Sequence, residues 1–122
     1  MVTIYLWLNA VMYVGLGVWC TVAPDTTSRS LGFAFTKPGA RSEYITVYGG
    51  MEFGLGVFFL LCALNSAWRD AGLLFGLTLY GGLAIWRIYT FLTIEGIAGF
   101  PRVAIVLEIA LFLAAVVLWL RR

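Results

Sequence analysis

The stretch Tyr44-Ile45-Thr46-Val47-Tyr48-Gly49-Gly50-Met51-Glu52-Phe53-Gly54-Leu55-Gly56-Val57-Phe58-Phe59-Leu60-Leu61-Cys62-Ala63-Leu64 decides the fold. It contains one charged side chain, Glu52. Crossing the hydrocarbon of a bilayer takes about 20 mostly apolar residues when the chain is helical. Only a helix, or a closed barrel with period-two alternation, satisfies its backbone there. The alternation is missing, so this stretch reads as a membrane helix. Upstream, residues 2–23 carry no charge and end at Pro24-Asp25. Downstream, residues 71–93 carry only Arg87, and residues 103–120 only Glu108. The expectation is an all-α protein, an antiparallel four-helix transmembrane bundle occupying residues 1–122 as one domain. Its helices would span about 2–23, 43–65, 71–93 and 102–120, with a loop over 24–42.

Composition agrees. Of 122 residues, 62% are hydrophobic and 11% charged, against about 45–50% and about 25% in soluble domains. Mean hydropathy is +0.97. These values exclude a disordered chain and an ordinary soluble domain. Eight basic and six acidic residues give a net charge of +2, too little and too scattered to bind nucleic acid. Histidine is absent, which removes the commonest metal ligand and neutral-pH general base.

The first run lacks a basic leader and a small-x-small cleavage site, so it reads as a retained helix. Four spans put both termini on one face, A, together with the turn at Asn65–Asp70. Face B then holds the 24–42 loop and the turn at Glu95–Arg102. Arg69, Arg121 and Arg122 lie on face A, and Arg29, Lys37, Arg41 and Arg102 on face B. This near-tie gives the positive-inside rule little purchase; the longer loop on face B favours termini in the cytoplasm. In that loop, Pro24-Asp25-Thr26-Thr27-Ser28 reads as a turn or the cap of a short interfacial helix. Leu31, Phe33 and Phe35 would lie along the headgroups, and Lys37-Pro38-Gly39 reads as a further break. Trp7, Trp68 and Trp119 suit an aromatic belt near face A.

Fourteen glycines are many for this length. Gly50/Gly54 and Gly72/Gly76 have G-x-x-x-G spacing, which lets helix backbones approach closely in lipid. With Gly49 they are candidate packing positions, either inside the bundle or against another subunit.

The three intramembrane charges are more specific. From the rise of about 1.5 Å per residue, Glu52 lies about 12 Å, Arg87 about 9 Å and Glu108 about 8 Å in from face B. Three helices thus deliver their only charge to similar depth. A charge near the centre of a membrane helix costs about 2.5–3.5 kcal/mol, so the three are expected to face inward and pair. Arg87 can hold a carboxylate of Glu52, of Glu108, or one oxygen of each through parallel N–H bonds. Two acids against one base leave a negative charge, to be met by a proton or a further cation. Arg41, about three turns before Glu52, is the candidate for that cation. Tyr48 and Glu43 on the second helix and Tyr80 on the third complete the candidate pocket.

Cys20 and Cys62 lie near opposite faces, too far apart for a disulfide. Two acids beside an arginine make a poor metal site, and no nucleophile with a base is visible. These absences favour a non-enzymatic protein.

Ser42-Glu43-Tyr44-Ile45-Thr46-Val47-Tyr48-Gly49-Gly50, with Gly81-Gly82, Arg87, Glu95-Gly96 and Glu108, resembles a bacterial four-helix membrane family of unknown function that is similar to the DoxX-like group. The resemblance runs over about residues 1–120; Ile45 stands where such families often carry an arginine. It implies a compact four-helix bundle in a bacterial cytoplasmic membrane. It also implies, by analogy with relatives that serve quinone-linked redox systems, an accessory subunit.

The expected function is therefore a binding or accessory subunit whose Glu–Arg–Glu pocket takes a lipid, a quinone or a small metabolite. Its partners would be membrane lipids and further copies of itself or a larger membrane complex, with no nucleic acid. The alternative is a proton-coupled transporter resembling small multidrug exporters, with Glu52 and Tyr48 exchanging a proton for a cation. Against it, Arg87 would repel a cation.

Overall fold

A computed structural model describes all 122 residues, and they form helices without a strand. We number the helices α1 (Val2–Val22), α2 (Pro24–Ser30), α3 (Pro38–Leu64), α4 (Ser66–Thr93) and α5 (Phe100–Leu120). Four of them, α1, α3, α4 and α5, are long and apolar enough to cross a membrane. The protein is a multi-pass membrane protein, an antiparallel bundle whose outer surface is apolar side chains such as Ile4, Val11, Trp86, Leu92 and Leu120.

The 24–42 segment is more ordered than a loop. Pro24 and Pro38 each sit in the first turn of a helix, where a missing N–H costs nothing and the fixed φ is already helical. So Lys37-Pro38-Gly39, expected to break the chain, instead starts α3 five residues earlier than the sequence suggested. Arg41 on α3 is ion-paired to Asp25 on α2 at 3.0 Å and lies over the Phe35 ring. Phe33 and Phe35 pack on Tyr44, and Tyr44 stacks on Tyr48 with ring centroids 4.6 Å apart.

Inside α3, residues Ile45–Met51 form a π-helix. Its i→i+5 bonding places one extra residue in the turn, so the remainder of α3 is rotated by about 100° relative to a regular α-helix. The glycines explain why it fits here. A Cβ on Gly17 would stand 2.7 Å from the Gly49 carbonyl oxygen and the Phe53 nitrogen, and one on Gly56 2.6 Å from the Val14 nitrogen. Backbone therefore meets backbone along the α1–α3 seam, the most extensive helix contact in the molecule. Gly72 lies against Cys62 and Leu6, and Gly76 against the Tyr5 ring. Gly50 and Gly54 do not pack: nothing lies within 4 Å of a Cβ built on either. The π turn directs this G-x-x-x-G pair to lipid, and Gly17, Gly49 and Gly56 make the seam instead.

The molecule consists of two close pairs, α1 with α3 and α4 with α5. The pairs join in the A half, where Leu6, Ala10, Phe59, Cys62, Ala63, Leu73, Leu111 and Ala115 form one buried cluster. There the short turn at Asn65 is capped by its own side chain, which accepts the Ala67 N–H at 3.0 Å. Arg122 closes the same end, paired with Asp70 at 3.2 Å and stacked over Trp119. Toward face B the pairs diverge. The Pro38–Met51 half of α3 packs on α1 and has no more than marginal contact with α4 and α5.

Candidate functional site

The divergence leaves a gap between backbones, with α3 on one side and α4 and α5 on the other. On its far wall Arg87 donates from Nε to Glu108 Oε2 at 2.9 Å and from Nη2 to Oε1 at 2.5 Å. This is the two-pronged geometry that guanidinium and carboxylate favour. The side chains are 24% and 11% exposed, so the pair sits largely out of solvent. It joins α4 to α5 through the only charge each carries within the bilayer.

Glu52, on the near wall, is not part of that pairing. The three ion pairs are Arg41–Asp25, Arg87–Glu108 and Arg122–Asp70. Glu52 Oε2 is enclosed and has no hydrogen-bond partner. Of the two carboxylates that could claim Arg87, Glu108 takes its Nε and Nη2 donors.

The expected cation from the interface does not arrive either. Eleven residues would bring Arg41 round to the face of Glu52 in a regular helix, but the π turn intervenes and rotates the faces apart by about 100°. Arg41 goes to Asp25 instead. Glu43 is exposed and forms neither a hydrogen bond nor an ion pair. Tyr48 is half-buried under Tyr44 and Phe33 and lies within electrostatic reach of Arg87. Tyr80 lies two turns deeper than Arg87, almost fully buried, and its hydroxyl donates to Asn9 Oδ1.

Asn9 belongs to a feature absent from the sequence-based expectation. Tyr5, Asn9 and Tyr13 recur every four residues on the inner face of α1, and all three are buried. Asn9 Nδ2 donates to the Tyr5 carbonyl at 2.7 Å, and the Tyr5 hydroxyl donates to the Leu111 carbonyl at 3.3 Å. Tyr13 stacks on Phe59 and neighbours Tyr80, Glu52 and Glu108. Their i, i+4, i+8 spacing in a charge-free span was the available signal. Together they form the polar floor of the crevice.

Chemically, the crevice presents one neutralised arginine, one unpartnered carboxyl oxygen and several phenol groups. The Arg87–Glu108 pair cancels its own charge. Glu52 keeps acceptor capacity that nothing in the chain uses.

In comparison with known proteins, a family model described as a domain of unknown function, DUF4345, matches residues 1–120. No curated protein and no solved structure matches the chain.

Proposed function

The chain belongs to the DUF4345 family, a domain of unknown function, and we propose that it is a non-enzymatic accessory or binding subunit. Its B-side crevice receives the polar end of a membrane-soluble molecule: a lipid, a quinone or a small metabolite. The observation that carries this reading is the unpartnered Glu52 Oε2 opposite a self-satisfied Arg87–Glu108 pair. Intramembrane polar groups are expensive to leave unpaired and mark functional sites by default. Ligand sites in bundles form between helices, with a few convergent polar groups on an apolar wall. The crevice between α3 and α4/α5 has that composition.

In this reading the protein resides in a bacterial cytoplasmic membrane with both termini in the cytoplasm. It works beside membrane lipids, as a homo-oligomer or as a subunit of a larger membrane complex. The resemblance to the DoxX-like group supports the accessory role. The exposed Gly50/Gly54 face supports association with another helix, since small residues are the usual means of close approach in lipid.

One observation favours a second reading, proton-coupled transport of a cationic molecule. Arg87 would repel such a substrate if its charge were free, and Glu108 cancels that charge. Electrogenic uptake in proteoliposomes that disappears in Glu52→Gln supports transport; flat traces remove it.

Native mass spectrometry of the gently purified protein tests the primary reading. A bound small molecule or partner subunit is expected, retained by the wild type and lost in Arg87→Leu. A wild type free of both, or unchanged occupancy in a folded Arg87→Leu variant, refutes it.

A further inference from the structure

The geometry points to a second site, in the turn that joins α4 to α5 on face B: it seats the headgroup of a zwitterionic phospholipid, with the phosphate on Arg102 and the ammonium on Glu95. This site lies outside the crevice and does not depend on what enters there.

The turn builds a container. α4 ends at Thr93 and α5 begins at Phe100. Between them the chain reverses through Gly96 and Gly99, at φ +75° and +74°, a conformation that glycine adopts without steric cost. The reversal borders a surface cavity of about 300 Å³. Phe91, Leu92, Ile94 and Ile97 supply its apolar lining, and Glu95 and Arg102 its charged lining.

Both charges are unused by the chain. Arg102 Nε donates to the Ile97 carbonyl at 2.8 Å, which fixes the guanidinium against the turn. Its Nη1 and Nη2 groups enter no side-chain hydrogen bond and no ion pair. That outer edge is the part of a guanidinium that grips phosphate oxygens two at a time. Glu95 is exposed and forms neither a hydrogen bond nor an ion pair. The two are opposite in sign and share one cavity, yet they do not pair with each other. The remaining face-B charges, Asp25, Arg29, Lys37, Arg41 and Glu43, are not in the lining.

A fixed cation and a fixed anion that leave each other free suit a ligand carrying both signs. A purely anionic headgroup on Arg102 meets Glu95, and a purely cationic amphiphile on Glu95 meets Arg102; such like-charge encounters select against both. A zwitterionic phospholipid has its phosphate and ammonium side by side. The apolar lining favours the lipid over a soluble zwitterion. Leu92 is 81% exposed and Ile94 is exposed beside it, an apolar rest for the glycerol and the first acyl carbons. Trp86 and Tyr89, also exposed, precede Leu92 at helical spacing on α4. Aromatic side chains so placed mark the headgroup level, and the turn stands just beyond them.

Native mass spectrometry of the full-length protein, titrated with phosphatidylethanolamine and phosphatidylglycerol of identical acyl chains, tests the assignment. The wild type is expected to retain phosphatidylethanolamine about 5-fold better, the upper range for exposed ionic contacts. Arg102→Gln should remove that advantage. Glu95→Gln should lower phosphatidylethanolamine and raise phosphatidylglycerol, because Arg102 then faces an anionic headgroup without opposition. Lys37→Gln, which removes a face-B cation outside the cavity, should change neither. Equal retention of the two lipids by the wild type, no response to Arg102→Gln or Glu95→Gln, or an equal response to Lys37→Gln overturns the proposal. Displacement of the lipid by an equal concentration of glycerophosphoethanolamine overturns the lipid assignment in favour of a soluble zwitterion. The turn-bound lipid should survive Arg87→Leu and be lost in Arg102→Gln, whereas the crevice ligand behaves in the opposite way, so failure of one reading is distinguishable from failure of the other.

Discussion

Replacing Arg87 by leucine asks how much of the B half depends on a single ion pair. Both N–H···O bonds to Glu108 vanish, and a carboxylate that is 11% exposed is left without a partner. Breaking a buried pair in this way costs about 3–5 kcal/mol. An upper limit comes from the carboxylate's one escape, uptake of a proton. From an ordinary value near 4.3, neutralising it costs ~3.7 kcal/mol at pH 7 and ~1 kcal/mol at pH 5. We therefore expect Arg87→Leu to lose about 3–4 kcal/mol at pH 7 and about 1 kcal/mol at pH 5. The sign is set by linkage. In the variant the folded state holds a proton that the unfolded chain releases above about pH 4.3, so folding weakens as pH rises. In the double variant Arg87→Leu/Glu108→Leu no charge is left unpaired, and stability should return to within about 1.5 kcal/mol of wild type. The assay is unfolding by sodium dodecyl sulfate in mixed micelles, followed by circular dichroism at both pH values. A pH-independent loss, or a double variant as unstable as the single one, refutes the reasoning.

Two further outcomes test the packing. Gly56→Ala drives a methyl group to within 2.6 Å of the Val14 nitrogen and 3.0 Å of the Ala10 carbonyl. Since backbone cannot swing aside, a loss of about 1–3 kcal/mol is expected. Gly54→Ala meets nothing and should be neutral or gain up to about 1 kcal/mol from helix propensity; equal losses in the same micelle assay contradict the assigned seam. Tyr80→Phe leaves Asn9 Oδ1 without its donor, at about 0.6–1.7 kcal/mol for a hydrogen bond within a membrane. In Tyr80→Phe/Asn9→Leu that loss should largely be recovered, as a double-mutant cycle will show.

Much of this architecture was legible because lipid permits so few solutions. Runs of about 20 residues with at most one charge located all four spans, although two of the helices start about five residues before the expected bounds. The errors had local causes. Pro38-Gly39 carries the composition of a break, yet a proline in a first turn is as good a start as a stop. The π turn at Ile45–Met51 has no signal in hydropathy, because changing the turn leaves the residues equally apolar. That one irregularity moved Arg41 off the face of Glu52 and sent Gly50 and Gly54 outward. It also left Gly49 and Gly56, with Gly17 opposite, to form the seam. The common depth of Glu52, Arg87 and Glu108 was readable from counting alone. Which acid takes Arg87 was not, because depth carries no information about rotation around each helix axis. Tyr5, Asn9 and Tyr13 carry no formal charge and so leave no mark on a charge count, although their spacing marks an inward stripe.

The unequal closure of the two ends has a mechanical consequence. The A end is clamped by a tight turn, a buried apolar plug and the Arg122–Asp70 contact, whereas toward face B the two helix pairs have little between them. Such a body moves like tweezers held at one end. Its softest motion is a spreading of the α1–α3 arm from the α4–α5 arm, with the hinge on face A and the largest excursion at the leaflet of face B. By leverage alone, a small tilt at the hinge displaces Tyr48 further than any residue of the A half.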